Sequence, residues 1–282
     1  MSGTDQLWLP GHRCATLTAP AIDRVHGTAM TAAASAGTEL RQRYGGPAAI
    51  GFLIDLRTRL AAPGGLISAA GFAAVTRYRD PAGCQRALDK QVAYGMVVRH
   101  PDGALRATER GAAFLADLYA LHAEVTATIW GPEHATRLAR LVELTGRLLA
   151  AALAEPTGGT GLPDDGADPT GAGGAGGAGG ATDDGGGGGA FRAVAPPYEP
   201  EGTPPGVLLL NRLTVLRHHR ADAHAAAWTA AGHTARSIVD LPVGAQRLAI
   251  EQETDRRAAG PYQALDPDQR VTLLADLAAL PG

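Results

Sequence analysis

The sequence predicts a mainly α-helical protein: a winged helix-turn-helix with a small two-stranded wing, then a disordered glycine-rich linker and a C-terminal helical domain. Three observations carry this expectation. Cap and turn residues between Leu66 and Leu115 punctuate the chain as helix, turn, helix, two short strands, helix. Apolar residues recur at helical spacing on both sides of that segment. From Pro156 to Pro205, 17 of 50 residues are glycine, and apolar burial cannot offset the entropy of ordering such a stretch. The expected divisions are therefore 1–155, 156–205 and 206–282.

Taken in order, the residues from Thr18 to about Ala61 read as two helices, the second carrying Ile50, Leu53, Leu56 and Leu60 on one stripe. Ser68 is a cap for a short helix through Arg77, and Asp80-Pro81 sets a capping carboxylate before a proline at the first helical position. The helix from Pro81 should bury Cys84, Leu88, Gln91 and Val92, and end at Gly95, which suits a left-handed closing residue. Its other face shows Ala82, Gln85, Arg86, Asp89 and Lys90. Met96–Arg99 and Ala104–Ala107 then pair across the turn residues His100-Pro101-Asp102-Gly103, and Thr108 caps the next helix. Phe114, Leu118, Leu121, Val125 and Ile129 make one long stripe, Gly131-Pro132 breaks it, and Leu138, Leu141, Leu144 and Leu148 make another.

The run YGMVV, RHPDGAL and ATERG resembles the strand, wing and helix start of MarR-type winged helices, over roughly fifty residues. That resemblance implies a transcriptional regulator binding double-stranded DNA as a homodimer, with the two long helices after the wing at the dimer contact. Ordinary packing onto the N-terminal helices is the alternative for those stripes. On this reading the helix from Pro81 to Tyr94 enters the major groove. There Gln85 and Arg86 would reach base edges, where glutamine suits adenine and arginine suits guanine. Arg79 and Lys90 would hold phosphates, and Arg99 and Arg106 would approach the minor groove from the wing.

Charge agrees with that placement in sign. The chain carries −3 over 282 residues, yet seven acidic residues and one basic residue fall between Pro156 and Pro205, leaving +3 elsewhere. Leu66 to Ala112 alone has seven basic and four acidic residues, also +3, which is modest for a nucleic-acid footprint. Cys14 and Cys84 are too few for a disulfide framework, so a reducing cytoplasm is expected. With no leader-like N-terminus and no run of about 18 apolar residues, no membrane association is expected.

Beyond the linker the pattern gives four helices in about 75 residues, the last capped by Asp266 with Pro267 behind it. As a flexible coil the linker would span on the order of 40 Å, letting this bundle dock on either subunit of a dimer. LRHHRADAHAAAWTAAGH and IEQETDRRAAGPYQAL resemble two helices of the actinobacterial SalK-like helix-turn-helix family, although the second helix-turn-helix of that family is shortened here to HTARSIVDLPVGAQR. Arg217, Arg220, His224 and Trp228 lie along one face of the first helix, able to receive an anionic or aromatic effector, while His218 and Asp222 share another. Three readings stay open there: a ligand pocket, a metal site, or a solvated helix with Trp228 in the core.

No cofactor is expected. The GGA repeat lacks the lysine and hydroxyl residue of a phosphate loop, and the chain has no CxxC pair and no H-E-x-x-H. The absence of a nucleophile elbow leaves a non-enzymatic regulator as the leading expectation. A scaffold that binds small molecules or proteins without DNA is the alternative, followed by an enzyme built around His218, Asp222 and His224.

Overall fold

The computed structural model describes residues 9–156 and 189–281. The helices are α1 Gly11–Ala36, α2 Thr38–Arg43, α3 Pro47–Asp55, α4 Arg57–Leu60, α5 Ala69–Val75, α6 Pro81–Ala93, α7 Glu109–Ile129 and α8 Ala135–Ala154. They continue with α9 Ala190–Val194, α10 Pro205–Ala230, α11 Ala235–Val239, α12 Ala245–Arg257 and α13 Pro267–Ala279. Strands β1 Val97–Arg99 and β2 Leu105–Ala107 form one antiparallel pair, with Val98 opposite Arg106. Ile67 exchanges two backbone hydrogen bonds with Leu105 and so fixes the hairpin to the segment before α5. The protein is thus mainly helical with one small sheet, and no described helix is long and apolar enough to cross a membrane.

Local chemistry sets the elements around that sheet. Ser68 accepts from Gly71 N, Asp80 from Gly83 N with Pro81 behind it, and Thr108 from Gly111 N, each satisfying one orphan amide of a helix start. Gly95 closes α6 at φ +66°, a conformation costly for any residue with a Cβ. Gly111 has a different role: a Cβ there would lie 2.0 Å from Met96 O, so only glycine lets α7 approach the start of β1 this closely.

Two apolar cores share the helices α8 and α10, α8 giving Leu149 and Ala152 to the second. The first gathers Ile22 and Val25 of α1, Leu141 and Leu148 of α8, Leu209 and Leu213 of α10, and Leu273 and Leu277 of α13. The second gathers Ile50 and Leu53 of α3, Leu88 of α6, Met96 and Leu105 of the hairpin region, Phe114 of α7, and Phe191 and Val194 of α9, with Val215 of α10. From Gly206 to Leu216, α10 is buried nearly all round, as a helix without an apolar stripe must be when neighbours enclose it.

Several expectations change on this evidence of packing. No core division falls at residue 206, because α10 lies against α1, α7, α8 and α9, and α13 against α1 and α8. Residues 157–188 of the expected linker lie outside the described residues, but from Gly189 the chain is built into the core. There α9 buries Ala190, Phe191 and Val194, and Arg192 donates to Leu153 O at 3.0 Å and to Glu155 O. The stripes of α7 and α8 expected at a dimer contact are covered within the chain by α1, α10 and α13. The N-terminal helix begins at Gly11 and passes through Pro20, losing one backbone bond, and the two expected helices are four because the first is interrupted at Gly37 and the second at Leu56. Val92 is exposed, one position off the buried face of α6.

If α9 is part of the core, Phe191→Ala should cost about 3–5 kcal/mol of unfolding free energy in urea melts. A loss below about 1 kcal/mol, within the range of an ordinary surface change, would remove α9 from the core.

Candidate functional site

Two regions collect the functional candidates, and they meet at Tyr78. On the first, α6 turns Gln85, Arg86 and Lys90 to solvent, and the hairpin beside it exposes Arg106. Most of these groups are already engaged. Asp89 accepts from Gln85 Nε2 and from Arg99 Nη2, both at 2.9 Å, tying α6 to β1. Arg79 Nη2 lies 2.8 Å from Asp55, and Arg86 Nη2 3.6 Å from Asp80. Among the described residues, Lys90 and Arg106 have no carboxylate partner. Arg86 is 70% exposed, and exposed pairs are worth roughly 0–1 kcal/mol, so these ion pairs yield readily to a phosphate. A shallow cleft of about 550 Å³ between α3 and α6 is lined by Asp55, Arg79, Arg86, Lys90 and the buried Gln91.

The second region is a cavity of about 240 Å³ framed by α1, α10, α12 and the 3-10 turn Gly260–Ala264, with Tyr78 at its edge. Arg217, Arg220 and His224 line it; Trp228 does not. Trp228 sits behind, partly buried against Ala227, Ile238 and Ile250, and donates from Nε1 to Tyr78 Oη at 3.2 Å. The arginines are not free cations. Arg217 Nε donates to Asp23 at 2.6 Å and its Nη1 faces His26, while Arg220 pairs with Asp255 and lies 3.5 Å from Glu251. The expected anion-receiving face is therefore neutralised by carboxylates of α1 and α12, which helical spacing along α10 alone cannot reveal. Tyr78, Glu251 and Asp23 carried no periodic signal towards this cavity.

His218, Asp222 and His224 do not assemble into one centre. The carboxylate of Asp222 pairs with Arg77 and accepts from the backbone N–H groups of Ala190 and Phe191 at 2.9 and 2.8 Å, capping α9. His224 Nδ1 faces Tyr78 Oη at 3.0 Å. Burial holds the His224 pKa below the usual imidazole value against the pull of Glu251. Among the described residues, no group of three His, Cys, Asp or Glu side chains is placed to hold a metal ion. Cys14 is buried, and burial pushes its thiol up to about 12, so it is not a poised nucleophile.

Behind the cavity lies a buried polar chain that the sequence did not announce. Arg217 Nη1 donates to His26 Nδ1 at 3.1 Å, which leaves the His26 proton on Nε2 to meet Thr214 Oγ1 at 3.0 Å. Thr214 also accepts from Arg57 Nη2 at 2.6 Å and donates to Leu210 O at 2.8 Å. Arg57 is 2% exposed, has no carboxylate in an ion pair with it among the described residues, and burial lowers its pKa to about 10. His122 is buried nearby, and neither ring nitrogen is hydrogen-bonded among the described residues. Burial, aided by the arginines, pushes His26 down to about 2, His122 to about 3 and His218 to about 4.

No protein-family model, curated protein or solved structure matches the chain.

The depressed histidines set a pH dependence. Each is neutral when folded and takes up a proton when unfolded below about pH 6.5, so stability is complete above that pH and falls as the pH drops. With three such histidines the slope should approach 4 kcal/mol per pH unit between about pH 5 and 6, at about 1.4 kcal/mol each. Urea melts of the wild type and of His122→Leu should show the slope reduced by about a third in the variant. An unchanged slope would mean that His122 is protonated in the folded protein.

Proposed function

We propose that the chain is a winged-helix, DNA-binding regulator of transcription whose affinity answers to a small molecule in the cavity. One observation carries the DNA half: α6 buries Cys84, Leu88 and Gln91 and turns its polar face, Gln85, Arg86 and Lys90, to solvent beside a hairpin that exposes Arg106. A major groove about 12 Å wide admits such a helix, with the hairpin reaching the flanking groove. Arg86 and Gln85 read bases once Asp80 and Asp89 release them; Lys90, Arg79, Arg99 and Arg106 hold backbone or minor groove. Tyr78, two residues before the cap of α6, links the cavity to the start of the recognition helix.

A second reading has its own observation. The ion pairs of Arg79, Arg86 and Arg99 and a net charge of −3 weaken the pull on a polyanion, and leave a scaffold that binds the small molecule without DNA.

Selection from random duplex DNA at moderate salt separates the two. DNA binding requires an enriched sequence and an affinity that falls steeply with added salt, from counterion release. On the selected site, Arg86→Ala should lose about 1–3 kcal/mol and relax one base position, whereas Lys90→Ala should weaken all sequences alike and lower the salt slope by about one. Failure to enrich any sequence leaves the scaffold reading.

A further inference from the structure

The cavity beside Tyr78 states what kind of molecule it complements. Ala15, Ala19 and Ile22 of α1 and Leu216 of α10 give it an apolar wall. At its polar end, Tyr78 Oη accepts from Trp228 Nε1 at 3.2 Å and lies 3.0 Å from His224 Nδ1, to which its hydroxyl is placed to donate. Neutral His224 then carries its proton on Nε2. That nitrogen is buried with no hydrogen-bond partner, 3.6 Å from Glu251 Oε1. The other Glu251 oxygen lies 3.5 Å from Arg220 Nη2, so Glu251 keeps unused acceptor capacity. A buried donor and an open acceptor thus stand side by side.

The charges around this pair cancel. Arg77, Arg217, Arg220 and Arg247 are matched in number by Asp23, Asp222, Glu251 and Asp255, and three of the four arginines are in ion pairs with those carboxylates. With four cations and four carboxylates the set is balanced, so an ionic ligand of either sign would add a net charge that a neutral one does not. The cavity volume of about 240 Å³ admits a molecule the size of a substituted single ring.

We infer that this cavity binds a small, neutral, planar molecule whose carboxamide-type edge accepts from His224 Nε2 and donates to Glu251, with its apolar ring against α1 and Leu216. The inference rests on the effector half of the function proposed above and not on the DNA half.

Isothermal titration of the full chain with benzamide, benzoate and benzamidine tests it, because the three share one ring and differ in the charge of the edge. Benzamide should bind at one site and at least about tenfold more tightly than either charged analogue, the scale set by leaving one polar partner unpaired. Glu251→Ala and His224→Phe should each weaken benzamide by about tenfold, with melting curves checking that both variants fold. The comparison of probes needs only the wild type, so it stands if a variant does not fold. Benzoate or benzamidine binding as tightly as benzamide, no benzamide binding, or unchanged binding in both folded variants would overturn the assignment. The titration contains no DNA, so its failure is distinct from failure of the DNA-binding reading.

Discussion

One carboxylate holds three parts of this protein together. Asp222, near the middle of α10, pairs with Arg77 at the end of α5 and accepts from the first two amides of α9. It is a quarter exposed, so its bonds are shielded from the screening that makes surface pairs weak. Removing it would leave a part-buried guanidinium and two helix-start amides unsatisfied together, a cost on the order of several kcal/mol. The segment that leads into α6, the short helix after the glycine-rich region and the long central helix therefore all meet at a single side chain.

Arg57 shows the opposite solution to burying charge. Among the described residues no carboxylate pairs with it; instead its Nη atoms donate to Ile54 O and Thr214 Oγ1, and the imidazoles around it stay neutral. The desolvation of a lone cation is usually avoided, and here it is borne by a chain of hydrogen bonds that runs on through His26 to Arg217 at the cavity wall. The core and the cavity are thus joined by one chain of hydrogen bonds, while burial, seconded by these arginines, keeps the three histidines neutral.

What was legible in the sequence was local. Ser68, Asp80-Pro81, Gly95, Thr108 and Asp266-Pro267 announce helix ends by hydrogen bonds to residues three or four positions away, and the structure has those ends where they fall. What was not legible depends on distant partners. Phe191 follows five glycines and reads as linker until α10 covers it, and the arginines of α10 read as an anion face until Asp23 and Asp255 arrive from elements far away in sequence. The exposed face of α6 was foreseeable from spacing, but Asp89 bridging Gln85 to Arg99 was not, because it joins a helix to a strand. Arg57 gave no sign at all, since an arginine between Asp55 and Arg59 is ordinarily at the surface.

The bonds of Arg192 to Leu153 O and Glu155 O bring the end of α8 and the start of α9 to one place. The described chain therefore breaks off at Pro156 and resumes at Gly189 within one small region, a single gate. The entropy of closing a chain at fixed ends grows only as the logarithm of its length, about 0.6 kcal/mol for each doubling. With the two ends already held together, a change of chain length between Pro156 and Gly189 adds little closure entropy. That makes this gate the natural place to open the chain, by insertion of a reporter domain or by circular permutation, while α8, α9 and the core between them stay intact.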